Sequence, residues 1–180
     1  MNNDKVIGNG RWLKLIERQF IDATGKPNTW ELAQRPNDQR AVCIFAIVGE
    51  PTPSLVLVKQ FRVPVGAHVV EFPAGLIDAG ETAEVTALRE LAEETGYQGD
   101  VVSSGPFTYN SPGMTDESVA YVRVNVTSQE AASPTADEQI EVFTLPLKGL
   151  LDGLRGLESG GTKVDAKLWF FAEALEFNRA

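Results

Sequence analysis

GLIDAGETAEVTALRELAEETGY, residues 75–97, is the stretch of this sequence that decides the fold. It predicts a helix from Thr82 to Thr95, closed by Gly96, because glycine readily adopts the left-handed conformation that ends many helices. The helix carries a cluster of glutamates in a chain whose formal net charge is already −9. Such a concentration of negative charge needs a physical reason.

The acidic cluster indicates a cation site. At about 100° per residue, Glu90, Glu93 and Glu94 fall on one face of the helix. Like charges four residues apart cost about 0.2–0.5 kcal/mol, and the helix dipole disfavours anions in the last turn. The alternative is a solvated face that only keeps the helix soluble. A cluster placed against both effects favours a bound cation, and hard oxygen ligands suit Mg²⁺ or Mn²⁺.

The opposite side of the helix is predicted to pack against a sheet. The apolar residues expected on that side are Val85, Leu88, Leu91 and Ala92. Two small residues, Ala83 and Ala87, lie beside the acids, and we expect them to keep that surface low enough for a ligand to approach. The sequence therefore predicts one buried face and one binding face.

Length and composition narrow the class of protein. A chain of 180 residues with 43% hydrophobic residues fits a single globular domain. Its negative charge argues against nucleic acid and anionic membranes as partners, so an anionic substrate would need local cations. The single cysteine, Cys43, cannot form an intramolecular disulfide, and no apolar run has the roughly 18 residues needed to span a bilayer. We therefore expect a cytoplasmic location.

Around the acidic helix the chain reads mainly as strands. Residues 11–22 and TWELAQRP (29–36) flank the turn signal ATGKPN and predict an N-terminal β-hairpin. Apolar, β-branched runs predict further strands at 41–49, 55–63, 68–72, 118–127 and 140–147. Residues 163–177 predict a C-terminal amphipathic helix. The order of elements indicates an α+β fold.

Residues 75–97 match the pattern G-x5-E-x7-R-E-U-x-E-E-x-G-U, in which U is a bulky aliphatic residue, with Tyr97 at the last U as the one departure. This stretch resembles the box of the Nudix hydrolase family. The resemblance implies an α/β/α sandwich with mixed β-sheet, and hydrolysis of a nucleoside diphosphate linked to another moiety. It further implies metal ligation by Glu90 and Glu94, with Glu93 nearby and the backbone carbonyl of Ala74, while Arg89 orients one of the acids.

More than the box is similar to one subgroup, the ADP-ribose pyrophosphatases or ADP-sugar diphosphatases. The matching stretches include KQFRVPVGAHVVEFPAGLID (59–78) and NSPGMTDES (110–118), with Pro112 fifteen residues past the box. The resemblance implies Mg²⁺-dependent hydrolysis of ADP-ribose to AMP and ribose 5-phosphate by a homodimer. Residues 1–40 would then form antiparallel strands for dimerisation and adenine binding, and residues 41–180 the catalytic domain.

The same resemblance suggests which residues bind the substrate. Trp12 and Trp30 would sandwich the adenine, one from each subunit, and Glu31 would accept a hydrogen bond from its amino group. The candidate residues for the diphosphate are Arg35 and Arg62, and those for the ribose are Leu76 and Met114. A guanidinium can grip phosphate oxygens in bidentate fashion. The alternative is that the tryptophans are core or interface aromatics and the arginines exposed and idle.

The catalytic base is less determined by the sequence. Glu138, in TADEQIEV, aligns with a loop glutamate proposed to activate water in relatives, while Glu117 or Glu93 could serve instead. His68, the only histidine, lies in a predicted strand and is interpreted as structural. Two alternative functions stay open: hydrolysis of another nucleoside diphosphate sugar or oxidised nucleotide, and non-catalytic sensing of ADP-ribose.

Overall fold

The computed structural model describes residues 4–35, 39–132 and 139–177. Within these ranges the chain forms two β-sheets and three helices. The strands are β1 Asp4–Asn9, β2 Lys14–Ile21, β3 Pro27–Gln34, β4 Ala41–Val48, β5 Ser54–Arg62, β6 Ala67–Glu71, β7 Ala74–Leu76, β8 Tyr97–Tyr109, β9 Ser118–Gln129, β10 Glu141–Pro146 and β11 Lys163–Val164. The helices are α1 Ala83–Thr95, α2 Leu150–Ser159 and α3 Ala166–Phe177.

The N-terminal sheet has the antiparallel order β1-β2-β3. The predicted hairpin is confirmed as β2 and β3, and β1 adds a strand that the sequence pattern did not reveal. Asp22 closes the hairpin turn, since its Oδ1 accepts hydrogen bonds from the backbone N–H groups of Thr24 and Lys26 at 2.8 and 3.0 Å. Ile16 and Leu32 lie opposite each other and are both buried, so the small sheet has its own apolar centre.

The larger sheet is mixed and has the order β11-β6-β5-β4-β9-β8, with β10 paired to β5 and β7 paired to β4. Its centre is the parallel pairing of β4 with β9, and β7 runs antiparallel to β4 with Ala74 opposite Cys43. This pairing fixes the start of residues 75–97 against the middle of the sheet. The predicted strands at 41–49, 55–63, 68–72, 118–127 and 140–147 are confirmed.

Side chains alternate between the two faces of the larger sheet and build two apolar clusters. On one face, Val42 and Ile44 of β4 pack with Leu91 of α1. On the other face, Cys43 packs in a cluster that includes residues of α2 and α3, among them Leu154. Burying one such aliphatic side chain contributes about 1.5–3 kcal/mol. The predicted α/β/α sandwich is therefore confirmed, with helices covering both faces.

The orientation of α1 differs in part from the prediction. Leu91 is fully buried as expected, but Val85 is 53% exposed and Ala87 is fully buried. The small side chain of Ala87 lets the helix approach the sheet closely, so the buried face is rotated toward the acids. Glu94 consequently lies in the protein interior, where it is only 6% exposed.

The C-terminal region also contains elements that the sequence did not predict. α2 includes Gly153 and Gly156, which lower its helix propensity. The predicted helix over 163–177 begins only at Ala166, because Lys163–Val164 forms β11 parallel to β6. In the described part of the chain, no helix combines the length and apolar character that crossing a bilayer requires.

Candidate active site

Capping at both ends of α1 fixes the position of the acidic face. The Thr82 side chain accepts a hydrogen bond from the backbone N–H of Val85 at 3.3 Å. At the other end, Gly96 has a φ of 73° and donates its N–H to the carbonyl of Ala92 at 2.9 Å. A left-handed residue is easily accommodated only as glycine. The predicted limits of the helix are thus confirmed, and they set where the glutamates point.

Arg89 connects the acids of the site. Its Nε and Nη2 donate to the two carboxylate oxygens of Glu81, each at 3.0 Å. Its Nη1 donates to Glu90 Oε1 at 2.9 Å and to Glu93 Oε2 at 3.2 Å. A further bond runs from Nη2 to the Leu76 carbonyl at 3.3 Å. Arg89 therefore ties the helix to the loop that precedes it.

Glu81 is strongly acidic in this arrangement. The hydrogen bonds from Arg89 and from the Thr86 hydroxyl, which donates at 2.7 Å, lower the pKa of Glu81 to about 2. The hydrogen bond to Glu81 and the neighbouring charge of Glu90 raise the pKa of the Arg89 guanidinium. Both groups are therefore charged at neutral pH, and the ion pair persists across the range in which an enzyme would work.

Two of the predicted metal ligands reach β7. A Cβ placed on Gly75 would overlap the side chain of Glu90, so only glycine permits this close approach. Glu94 Oε2 accepts a hydrogen bond from the backbone N–H of Ala74 at 3.2 Å. Glu90, Glu94 and the Ala74 backbone thus converge where β7 meets α1. Glu93 lies further out, with a side chain 46% exposed.

This donor set fits a hard divalent cation in its chemistry, since it consists of carboxylate and backbone oxygens. Across the described residues, no three histidine, cysteine, aspartate or glutamate side chains already surround one point as a cation site. Glu90 and Glu93 are instead drawn toward Arg89. A cation at this position would therefore compete with Arg89 for the Glu90 carboxylate.

A cleft of about 510 Å³ lies beside the acids. Glu90, Ala74, Gly75 and Leu76 line it together with both predicted phosphate-binding residues, Arg35 and Arg62. Except for Gly75, each of these residues was predicted to bind metal or substrate. The described lining residues therefore include both arginine cations and a box glutamate.

Each cleft arginine is held by a carboxylate. Arg62 Nε and Nη2 donate to the two oxygens of Glu71 at 2.6 and 3.0 Å. Arg35 Nε donates to Glu117 Oε1 at 2.7 Å. Such bidentate or short charged contacts restrict the guanidinium to one orientation. The arginines are therefore positioned before any substrate enters.

Glu117 is half-buried in the cleft and remains ionised at neutral pH. Burial raises the pKa of its carboxyl group, but hydrogen bonds from Arg35 and Asn110 outweigh that effect, so that the pKa lies below its ordinary value. Asn110 Nδ2 donates to Glu117 Oε2 at 3.1 Å. Of the two candidate bases that the structure describes, Glu117 lines this cleft and Glu93 does not. Glu138 lies outside the described residues, and Glu93 is bonded to Arg89.

A second cavity, of about 490 Å³, lies between the N-terminal sheet and residues 109–116. Trp30 and Met114 line it, so Met114 is separated from Leu76, the other residue predicted for the ribose. Trp30 Nε1 donates to the carbonyl of Gly113 at 3.1 Å, and the backbone N–H of Ala33 donates to the carbonyl of Met114 at 2.9 Å. These bonds attach the small sheet to the rest of the protein.

Some predicted residues lie outside both cavities. Trp12 is 68% exposed in the loop between β1 and β2, with the guanidinium of Arg11 4.6 Å from its ring centroid. Glu31 is exposed on β3 and faces Glu17 across the hairpin. His68 is an exposed strand residue that contacts the Phe61 ring.

The cleft also contains polar residues that sequence reasoning missed, namely Glu71, Asn110 and Lys167. The sequence contains one indication that Glu71 is a site residue, because Glu71 is the lone charged residue in the apolar strand HVVEF. It contains none for Lys167, because that residue stands in a C-terminal helix far along the chain from the acidic helix. Only the packing of α3 beside β6 brings it to the cleft.

Comparisons with known proteins agree with this geometry. Residues 37–162 match the NUDIX domain family. The chain is 34% identical to an ADP-sugar pyrophosphatase of Mus musculus over 98% of this chain and 87% of that protein. It is 35% identical to an ADP-ribose pyrophosphatase of Bacillus subtilis over 97% of this chain and 90% of that protein.

A solved structure, described as the crystal structure of an ADP compounds hydrolase, has the same fold. It superposes with a TM-score of 0.73 at 24% sequence identity, covering 85% of this chain and 80% of that chain. The family match spans most of the sequence, includes the capped acidic helix and extends over most of the cleft. The chain therefore belongs to the Nudix hydrolase family.

Proposed function

We propose that this Nudix hydrolase cleaves the diphosphate bond of ADP-ribose, or of a related ADP-sugar, to give AMP and ribose 5-phosphate. The proposal is supported by the names of the two relatives, which match nearly the whole chain. The observation that carries it is the cleft in which Arg35 and Arg62 meet the box glutamate Glu90. A diphosphate is bound by positive charge, and in this acidic protein the two arginines supply positive charge in the cleft.

The arginines are the proposed binding residues for the diphosphate. Arg62 uses Nε and Nη2 to contact Glu71, so its Nη1 edge would meet a phosphate oxygen. Arg35 is held through Nε by Glu117, which directs its two Nη groups toward a ligand. Because both side chains are already oriented, little conformational entropy is lost when the substrate binds. Leu76 would contact the ribose from the floor of the cleft.

Nudix hydrolases generally use a divalent metal ion, and we propose Mg²⁺, with Mn²⁺ as a substitute. Glu90, Glu94 and the Ala74 carbonyl would hold it, with Glu93 beside them. A bound cation would withdraw charge from the phosphoryl oxygens and make nearby water more acidic. Arg89 would keep the helix attached to the loop through Glu81 while Glu90 turns to the ion.

Glu138 is the proposed general base, on the strength of the resemblance. Glu117 is the alternative that the cleft geometry favours, since it is ionised and lines the cavity. Replacing each by glutamine separates the two. We expect the variant that lacks the base to lose kcat by about 100-fold or more while KM changes little. The glutamine variant of the other residue should keep its kcat.

A homodimer is proposed for adenine binding. Trp30 lines the second cavity and Trp12 is exposed on the loop beyond it, so a partner's Trp12 would complete the aromatic clamp, with Glu31 beside the adenine. The N-terminal sheet exposes several large apolar residues, namely Val6, Leu13, Leu15 and Ile21. Exposed apolar side chains of this kind are available for contact with a second subunit. Sedimentation analysis tests the dimer, and a monomer at micromolar concentration would contradict it.

The deciding experiment for the reaction is a substrate panel. The purified protein is incubated with Mg²⁺ and, separately, with ADP-ribose, other nucleoside diphosphate sugars and oxidised nucleotides. We expect AMP from ADP-ribose with the highest kcat/KM of the panel, and loss of the reaction after chelation of the metal. Binding of ADP-ribose without release of AMP would instead indicate a sensor. We further propose a cytoplasmic location, which fits the free, buried thiol of Cys43.

A further inference from the structure

The C-terminal helix α3 contributes a cation to the cleft. Its start is fixed by β11, which pairs in parallel with β6, with Val164 opposite Val70. The backbone N–H of Asp165 then donates to the carbonyl of Val70 at 3.0 Å. Because Glu71 directly follows Val70, this pairing brings the first turn of α3 to the cleft. Lys167 is the residue of α3 that lines it.

The position of Lys167 is unfavourable for helix stability alone. The helix dipole disfavours a cation in the first turn. Asp165 caps the helix through its Oδ1, which accepts from the backbone N–H of Lys167 at 2.8 Å, and this bond needs no lysine side chain. The ammonium group instead contacts Asp165 Oδ2 at 2.7 Å, with the lysine side chain 31% exposed. A partly buried lysine is thus held by Asp165 with its ammonium group at the cleft.

The Lys167–Asp165 pair resembles the two arginine–carboxylate pairs already described at the cleft. The arginine pairs are Arg35–Glu117 and Arg62–Glu71. The charge of Lys167 also reaches across the cavity, since it helps Arg35 and Asn110 to lower the pKa of Glu117 against the effect of burial. Lys167 consequently resembles the two arginines proposed to bind the diphosphate. Each of the three side chains is partly exposed and is held by a carboxylate.

The neighbouring cavities indicate which end of the cleft faces the proposed adenine site. A small groove of about 200 Å³ is lined by Arg35, Glu117, Tyr109 and Asp116. Tyr109 and Asp116 also line the second cavity with Trp30, while Arg35 and Glu117 line the cleft. The path from the proposed adenine site thus enters the cleft at Arg35. Among the described residues, Lys167 lines the cleft and not the groove, so it lies beyond the entry point.

We propose that Lys167 binds the phosphate on the sugar side of the substrate, the one that leaves as part of ribose 5-phosphate. This inference rests on the proposed function, because it assigns one half of the diphosphate product to each part of the cleft. Lys167 would then favour substrates whose distal group carries a phosphate next to a compact sugar. It is a binding residue and takes no part in proton transfer.

Direct binding of the two products tests the assignment without turnover. Titration calorimetry measures Kd for ribose 5-phosphate and for AMP with wild type, Lys167→Met, Lys167→Arg and Lys163→Met. Methionine keeps an unbranched stem and the backbone N–H that Asp165 caps. Lys163 is a matched control, since it is an exposed lysine four positions earlier that pairs with Glu158 on the surface. Thermal unfolding checks that each variant is folded. If Lys167→Met is not folded, Lys167→Gln and Lys163→Gln take the place of the two Met variants.

Loss of a hydrogen bond to a charged group should weaken binding of ribose 5-phosphate to Lys167→Met by about tenfold or more. Lys167→Arg should retain most of the affinity, Lys163→Met all of it, and AMP should bind every variant about as well as wild type. A smaller loss for ribose 5-phosphate, an equal loss for AMP, or failure of wild type to bind ribose 5-phosphate would each overturn the assignment. Absence of AMP release by wild type would refute the proposed function separately.

Discussion

Glu94→Gln separates the proposed metal site from the packing of α1. Glu94 is 6% exposed, and its Oε2 accepts a hydrogen bond from the backbone N–H of Ala74 at 3.2 Å. Glutamine has the same shape, and its carbonyl oxygen can keep that bond. A neutral acceptor is weaker than a charged one by about 1 kcal/mol, while removing a like charge four residues from Glu90 returns about 0.2–0.5 kcal/mol. We therefore expect metal-free stability to change by less than about 1 kcal/mol.

With Mg²⁺ present the two proteins should differ strongly. A ligand at 100 times its Kd stabilises the folded state by about 2.7 kcal/mol. In a chain of this size each kcal/mol raises Tm by about 2–4 °C. Wild type should therefore gain about 5–11 °C from Mg²⁺ in a thermal unfolding experiment, and Glu94→Gln should lose most of that gain. Release of AMP from ADP-ribose should fall by about 100-fold or more.

The control is Glu84→Gln, which removes the same charge from the first turn of the same helix. Its metal-free Tm can shift because of the helix dipole, but its gain from Mg²⁺ should equal that of wild type. The reasoning would be refuted by a full Mg²⁺-induced gain in Glu94→Gln. An unchanged rate of AMP release in Glu94→Gln would also refute it.

Three further predictions follow from the site. Gly75→Ala would force a Cβ into the side chain of Glu90. We therefore expect loss of AMP release and a decrease of about 1–3 kcal/mol in the free energy of unfolding, measured with urea. A fully active variant would contradict the contact. The lowered pKa of Glu117 contributes stability that is present above its unfolded value of 4.5 and is lost as pH falls through the lower folded value. Urea unfolding between pH 7 and 3 should thus show a shallower acid loss in Glu117→Gln, and equal slopes would argue against the Arg35 contact. Trp30→Ala should raise KM for ADP-ribose by about 5- to 150-fold, with a smaller effect on kcat, if the indole stacks on adenine; a wild-type KM in steady-state kinetics would exclude that role.

Local features of the chain were predictable where the contacts are local. Both ends of α1 agree with the prediction, because the caps at Thr82 and Gly96 act within one turn of the helix. The clustering of Glu90, Glu93 and Glu94 on one helix follows from the same periodicity. Strands rich in β-branched residues, such as β4 and β5, were also predicted, since their composition reflects burial on both faces.

Other elements were missed because their local signals are weak. β8 contains glycines, serines and a proline and is mostly exposed, so its sequence resembles a loop, yet it pairs along most of its length with β9. α2 contains two glycines but is held by three buried leucines. Val85 was expected in the core, and its exposure shows that periodicity gives relative angles on a helix without giving its rotation against the sheet.

The sequence by itself determined the acidic helix, its limits and the family to which the chain belongs. Only the tertiary structure decided which distant residues share the cleft. Arg35 and Glu117 are separated by 82 positions, and Lys167 arrives from the last helix, through pairing of β11 with β6. Local propensity carries no information about such pairs, because their proximity depends on strand register and on which faces become buried when the whole sheet assembles.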